Sequence, residues 1–379
     1  MDIREELVRI YGLSRKPVYS DAILLMLHTL SFGTANQFSL AGIPAASVRK
    51  AVRTLVHDRM ITSNRGITIP GSGYKNQTIY FLTDPGEKRA LSLIGAKPRI
   101  YSRELKILSG RSQRIHTVEM LNLMYALLPL YHTGCIFGVE RIPDIPDGNP
   151  QFRPDGIYTF PSVEVYEELD TGSQERGIIA GKLSAYEAYF SSMPVKSLVQ
   201  QILIFDITSL GKGFHTKEEQ SGYVCRRSEM ITSLVYGNRQ IENLCLHGLR
   251  IQILQSGGED LARYGFLEKL PKIGYDIGKP TTYCFEDGSE VIAPITWYLE
   301  GLPYVVEYCS YDISSRLRAE KLSTLKGVRL LLIAEDITDL ADLKLSSMAT
   351  IRAVSYQTLA QQRLLFYIYE EGQFKEERK

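Results

Sequence analysis

The stretch FRPDGIYTFPSVEVYEELDTGS, Phe152 to Ser173, decides how the chain is read. It contains two β-prone segments, PDGIYTF and SVEVYEEL, separated by a proline. Period-two alternation puts Glu168 and Asp170 on one face near the end of the second strand. Asp155 opens the first strand after Pro154, thirteen residues before Glu168, and lies opposite the pair if the two strands form a hairpin. Three converging carboxylates repel one another and call for a cation, and hard divalent ions with oxygen ligands meet that need. The competing reading is a solvated hairpin edge that carries acids.

The flanking segments extend the pattern. RELKILSGRSQRIHTVEMLNLMYALLPLYHTG predicts a long helix with Val118, Leu121, Met124, Leu127 and Leu128 on one face. CIFGVERI is a strand, and the helix ERGIIAGKLSAYEAYFSS and the apolar strand LVQQILIFDIT follow the quoted stretch. The order α-βββ-αβ gives a mixed α/β domain. Lys182 on the second helix supplies a cation able to steer a nucleophilic water or offset phosphate charge.

Towards the N-terminus, SDAILLMLHTLSFGTANQFSLAG predicts an apolar helix, a break at Gly33 and a short segment to Gly42. In IPAASVRKAVRTLVHDRM, Pro44 suits a first helical turn, and Val48, Val52, Leu55 and Val56 mark the buried face. Arg49, Lys50 and Arg53 remain on the other face. Two β-prone runs, Ile67 to Ile69 and Thr78 to Leu82, then flank the turn PGSGYKNQ, with Arg65, Lys75, Asn76 and Gln77 at a basic, polar tip. Helices followed by such a hairpin give the order of a winged helix-turn-helix, with Arg49, Lys50, Arg53, Arg65 and Lys75 as the DNA-contacting cations. Solvation of a surface helix is the bland alternative. DPGEKRALSLIG closes the unit, and the basic linker AKPRIYSRE marks a boundary near residue 100.

The chain has 379 residues, enough for two or three domains, with 44 basic and 43 acidic residues. Its net charge of +1 points to no partner, so a nucleic-acid surface has to come from local segregation of charge. Cys135, Cys225, Cys245, Cys284 and Cys309 show no zinc spacing and are expected as reduced, mostly buried thiols. With no signal-peptide pattern in MDIREELVRIYG and no membrane-length apolar run, the expected location is the cytoplasm.

An aspartate after proline, a strand with an acid pair and a helix with a lysine resemble the PD-(D/E)xK nuclease core. Asp170 stands where that core has the lysine of its ExK element, and the resemblance makes Lys182 the relocated lysine. A longer resemblance, over roughly residues 20–210, is to the replication-relaxation family of plasmids and mobile elements, which is similar to MOBC-class relaxases. It rests on YFLTDPGEKRA, RIHTVEML, GVERI, FRPDGIY and EELDTGSQERG followed by KLSAYEAYF, in that order. It implies a winged helix joined to a restriction-endonuclease-like core, with Asp155, Glu168 and Asp170 as ligands of Mg2+ or Mn2+. It further implies Lys182 as a catalytic or phosphate-contacting cation, and His116, Glu119 and Glu140 as site-lining residues.

The C-terminal third echoes the centre. Glu307 and Lys321 keep the fourteen-residue separation of Glu168 and Lys182, and Asp287–Gly288 stands where Asp155–Gly156 does. Cys309 replaces the second acid. The expected organisation is an α/β (α+β) chain with a winged helix over 1–100 and a nuclease-like domain over 101–212. A connecting segment follows over 213–250, with Arg226, Arg227 and Arg239 as candidate DNA contacts, and then a second, degenerate nuclease-like lobe over 251–379.

The leading expectation is metal-dependent, site-specific nicking of double-stranded DNA on a plasmid or mobile element. The expected partners are DNA, a second copy of the chain and other plasmid-processing proteins, with no membrane. The alternative is a non-catalytic DNA-binding regulator of replication or transcription that uses a nuclease-like scaffold. A covalent tyrosine is disfavoured: Tyr186 is nearest the motif, but its helical spacing with Tyr189 reads as packing.

Overall fold

The computed structural model describes residues 3–64, 78–95, 119–128 except 123 and 127, 136–138, and 154–159. It further describes 163–208 except 173, 216–255, 280–358 except 311 and 357, and 365–377. The architecture is mixed α and β, with helices packed on several sheets. Among the described residues no helix is long and apolar enough to cross a membrane.

The N-terminal unit begins with α1 (Ile3–Tyr11) and α2 (Tyr19–Leu30), the latter buried from Ala22 to Leu30 as its apolar composition requires. After β1 (Phe32–Thr34), α3 (Ala35–Leu40) starts in a capping box in which Thr34 and Gln37 satisfy each other's backbone N–H. In α4 (Ala45–His57) the buried face is Val48, Ala51, Val52 and Leu55. Val56, expected on that face, is 45% exposed, and Ala51 is buried there instead of solvent-facing. β2 (Ile61–Asn64) and β3 (Ile79–Leu82) pair antiparallel, and β1 pairs with β3 on the other side. The strand expected at 67–69 lies outside the described residues. Thr83 caps α5 (Asp84–Ile94), with Pro85 in its first turn.

The core of this unit continues across the boundary expected near residue 100. Met120, Leu121, Met124 and Tyr125, in the helical residues 119–122 and 124–126, join the same apolar cluster. Tyr125 donates to the Phe32 carbonyl at 2.8 Å and its ring meets Phe38 edge-on at 5.8 Å. Gly33 makes room for this approach, since a Cβ there would sit 2.3 Å from the Tyr125 hydroxyl oxygen.

The central sheet is β4 (Ile136–Gly138), β5 (Gly156–Thr159), β6 (Glu164–Asp170), β7 (Gln201–Ile207) and β8 (Arg250–Gln255), in that order. The first three strands pair antiparallel and the last three parallel. A parallel β6–β7 step needs a crossover, which α6 (Arg176–Ser191) and the short α7 (Val195–Leu198) provide. Ile179, Leu183, Tyr186 and Phe190 recur at helical spacing on α6 and cover one face of the sheet, while Met120, Leu121, Met124 and Tyr125 pack on the other. With both faces covered, β7 is buried throughout, and from Ile202 to Phe205 it is continuously apolar. The polar segment expected to connect two lobes forms α8 (Lys217–Tyr236) and α9 (Arg239–Leu246). Residues 250–255 complete the first sheet as β8, although the sequence reading assigned 251–255 to the second lobe.

The C-terminal sheet runs in the order β11 (Thr296–Leu299), β12 (Leu302–Tyr308), β13 (Arg329–Ala334), β14 (Thr350–Ser355), β15 (Phe366–Glu370) and β16 (Gln373–Glu376), beside a hairpin of β9 (Thr281–Cys284) and β10 (Glu290–Ala293). β12, β13 and β14 are parallel, with α10 (Ile313–Ser323) as the crossover from β12 to β13. This repeats the β6–α6–β7 arrangement, with Glu168 opposite Phe205 and Glu307 opposite Leu332.

α10 also ties this sheet to the central one. Ser314 Oγ accepts from the Ile251 N–H at 2.8 Å, and Gln252 donates to Asp312 at 3.2 Å. Arg318 is fully buried; it forks onto Glu307 at 2.7 and 2.8 Å and donates to the Cys245 and Leu249 carbonyls at the end of α9. Breaking a buried pair strands the remaining charge, so Arg318→Ala or Glu307→Ala is expected to cost about 3–5 kcal/mol. Arg318→Met with Glu307→Leu should restore much of that. Urea unfolding followed through the single tryptophan, Trp297, which is buried in the C-terminal sheet, measures both.

Candidate functional site

Asp155 is anchored at the start of β5 in two ways. Its N–H donates to the Glu167 carbonyl at 3.0 Å, and its Oδ2 accepts from the Leu169 N–H at 3.0 Å. The side chain is thereby held over the end of β6. Glu168 projects from β6 towards α6, where Lys182 donates to its Oε2 and the Tyr186 hydroxyl donates to its Oε1 at 2.7 Å. Lys182 Nζ also lies 3.7 Å from Asp155 Oδ2. Lys182 and Tyr186 are four residues apart, so a single helical face delivers both donors to one carboxylate. The structure thus brings Asp155, Glu168 and Lys182 together.

Burial, and then the neighbouring Asp155 charge, push the Glu168 carboxyl up to about 7, with Lys182 and Tyr186 opposing the rise. Burial works against the Lys182 ammonium, but Glu168 and Asp155 outweigh it and hold its pKa above the ordinary lysine value. Burial and the Glu168 carboxylate raise the Tyr186 phenol well above its usual range. Tyr186 packs on Phe190 and Tyr166 as expected, and it also orients Glu168, which its spacing did not reveal.

Asp170 shares the face of Glu168 but turns to another partner. Arg227 of α8 forks onto it, Nε to Oδ2 at 2.7 Å and Nη2 to Oδ1 at 2.8 Å, and the Gly172 N–H donates to Oδ1 at 2.8 Å. Arg227 further donates to the Gln174 carbonyl at 3.1 Å, tying α8 to the turn between β6 and α6. The sequence reading offered Arg227 as a DNA contact; this fork joins residues 57 apart and leaves no local signal. Among the described residues no three His, Cys, Asp or Glu side chains stand close enough together to hold a metal ion.

Other expected site residues lie elsewhere. Glu119 is buried on the sheet face away from α6, where its Oε2 accepts from Asn122 at 3.2 Å and Thr208 at 3.1 Å. On that face Glu167 is fully buried and accepts from Tyr158, and burial followed by the Asp206 charge drives its carboxyl well above the usual range. His116 and Glu140 lie outside the described residues. Arg49, Lys50 and Arg53 stand on the exposed face of α4 and form no ion pair among the described residues. Arg65 and Lys75, at the expected wing tip, also lie outside the described residues.

The chain matches no protein-family model, and neither a curated protein nor a solved structure matches it.

A raised carboxyl pKa fixes the sign of one pH dependence. As pH rises, unfolded Glu168 releases its proton near the ordinary 4.5 and folded Glu168 only near 7, so its contribution to stability is present at low pH and lost across that window. The difference in unfolding free energy between wild type and Glu168→Gln is therefore expected to move in the variant's favour between about pH 4.5 and about pH 7. Urea titrations in EDTA measure it, and a pH-independent difference would count against the raised pKa.

Proposed function

We propose that the chain is a DNA-binding protein of a plasmid or mobile element whose central lobe nicks DNA with the help of a divalent metal. The observation that carries this reading is the convergence of Asp155, Glu168 and Lys182 at the start of β5 and the end of β6, beside a parallel crossover. Two carboxylates and a lysine in that setting are the chemical groups of a PD-(D/E)xK core with its lysine moved to the helix. In the N-terminal unit, the order α2–β1–α3–α4–β2–β3 with β1 and β2 flanking β3 supports a winged helix. Its α4 would be the recognition helix and Arg49, Lys50 and Arg53 the phosphate-facing cations.

The donor set suits Mg2+ or Mn2+, because a small hard cation is commonly held by one or two carboxylates and completes its shell with water and substrate phosphate. Asp155 and Glu168 would be those carboxylates. A bound ion would polarise the phosphoryl oxygen and lower the pKa of the attacking water. Tyr186 fixes Glu168 through its Oε1, and the anchoring of Asp155 fixes the second carboxylate against the strand. Lys182 stays protonated at neutral pH and so acts as a positive charge towards phosphate oxygens, not as a base.

One observation favours the regulator as a second reading: Asp170, the third carboxylate of the motif, is engaged by Arg227. A supercoiled plasmid carrying the cognate site separates the two. Nicking should require Mg2+ or Mn2+ and disappear in Asp155→Ala and Glu168→Ala. Lys182→Met should slow it about 10²–10³-fold, the usual cost of one electrostatic donor. Duplex binding without nicking under any metal would establish the regulator.

A further inference from the structure

The apolar cluster that joins the N-terminal unit to the central sheet is crossed by a chain of polar side chains. Thr208, just past the end of β7, is fixed by its N–H on the Asp170 carbonyl at 3.0 Å, and its hydroxyl donates to Glu119 Oε2 at 3.1 Å. The Asn122 amide donates to the same oxygen at 3.2 Å, and its Oδ1 accepts from Gln37 Nε2 at 2.9 Å. Gln37 Oε1 then accepts from the Thr34 N–H at 2.9 Å, which closes the capping box of α3. Thr34, Gln37, Glu119 and Thr208 are each no more than 2% exposed.

The chain of bonds has a direction. Glu119 offers an acceptor, so the Asn122 amide turns its NH2 to it and presents its oxygen to Gln37. Gln37 therefore donates with its NH2 and keeps its oxygen for the cap of α3. Apolar contact is non-directional, whereas bonds between the two sides of an interface are all satisfied in one arrangement. Leaving that arrangement strands the buried Gln37, Glu119 and Thr208 at the cost of their desolvation. α3 passes into α4 through residues 41–44, and Phe38, Ala41, Val48 and Val52 share the same cluster, so α4 goes where α3 is capped.

We infer that Thr208, Glu119, Asn122 and Gln37 are positioning residues that hold the N-terminal unit in a single seat on the central sheet, and that they thereby set the orientation in which α4 presents Arg49, Lys50 and Arg53 to a duplex. The orientation towards DNA rests on the reading that α4 contacts it; the seat does not. The N-terminal unit is then no independent DNA-binding module, because the central lobe fixes its reading face.

Pulsed electron–electron double resonance in the full chain measures the seat, with spin labels on Thr54→Cys of α4 and Ser184→Cys of α6, both exposed positions, and with Cys135, Cys225 and Cys284 replaced by serine. This labelled parent should give one narrow distance distribution. The fourfold variant Gln37→Met, Glu119→Met, Asn122→Leu and Thr208→Val keeps the volume of the interface and removes its directional bonds. It should still melt cooperatively but give a broad or multiple distribution. Its duplex affinity, read by fluorescence anisotropy, should fall about tenfold, as the competent seat drops to about a tenth of the population. Glu119→Gln still offers Asn122 an acceptor and should match the parent in both measurements. A cooperatively folded fourfold variant with the parent's narrow distribution overturns the inference, as does a broad distribution in the parent or in Glu119→Gln. Should the fourfold variant fail to fold, Asn122→Asp sets an acceptor against Glu119 at the same size and decides by the same distances, a narrow parental distribution again overturning the inference. A broadened distribution with unchanged duplex affinity upholds the seat and removes α4 as the DNA contact.

Discussion

A carboxylate buried at the end of a central strand is the constraint on which the central lobe depends. Glu168 is 4% exposed, and a charge removed from water is tolerated only where donors and a countercharge meet it. Both come from α6, through Lys182 and Tyr186 one turn apart. The same helix is the crossover that the parallel β6–β7 pairing demands, and its apolar positions cover the sheet face from which Glu168 projects. Fold and site therefore use one helix in one rotational setting. A shift of α6 by a single residue would misplace the lysine, the phenol and the aromatic packing together.

The C-terminal sheet meets the same problem with a different side chain. Glu307 occupies the register of Glu168, yet both its carboxylate oxygens are taken by Arg318, and Cys309 stands at the position of Asp170. Lys321, the sequence counterpart of Lys182, instead lies 3.2 Å from Asp287 at the turn of the β9–β10 hairpin. A guanidinium thus fills the cation position in this sheet and joins it to the end of α9, whereas the central sheet uses a lysine that is 27% exposed. One repeat of the strand–helix–strand unit is closed and serves the packing between sheets; the other leaves its charged groups within reach of solvent.

Local periodicity carried most of the architecture in advance. The helices α4 and α6, the alternation of β6 and the Glu–Lys separation all follow from residues within a few turns of one another. Failures arose where a tertiary partner decides. Val56 fits the helical period of α4 but is 45% exposed, while Ala51, three residues after Val48, is buried. The strand at 250–255 was drawn into the wrong lobe because a run such as RIQILQ pairs equally well with either sheet on local grounds, and only its parallel register with β7 assigns it. Arg227 read as a candidate DNA contact and Arg318 was not singled out; each is committed to a carboxylate, one 57 residues away and the other on the preceding strand.

Crystals soaked in Mn2+ and measured near the manganese absorption edge give the most direct test that Asp155 and Glu168 form a divalent-metal centre beside Lys182. The expected result is an anomalous peak about 2.0–2.3 Å from a carboxylate oxygen of each residue, a separation typical of hard cations with oxygen ligands. A fully exchanged crystal with no peak between them, and with Lys182 still closed on Glu168, would contradict it.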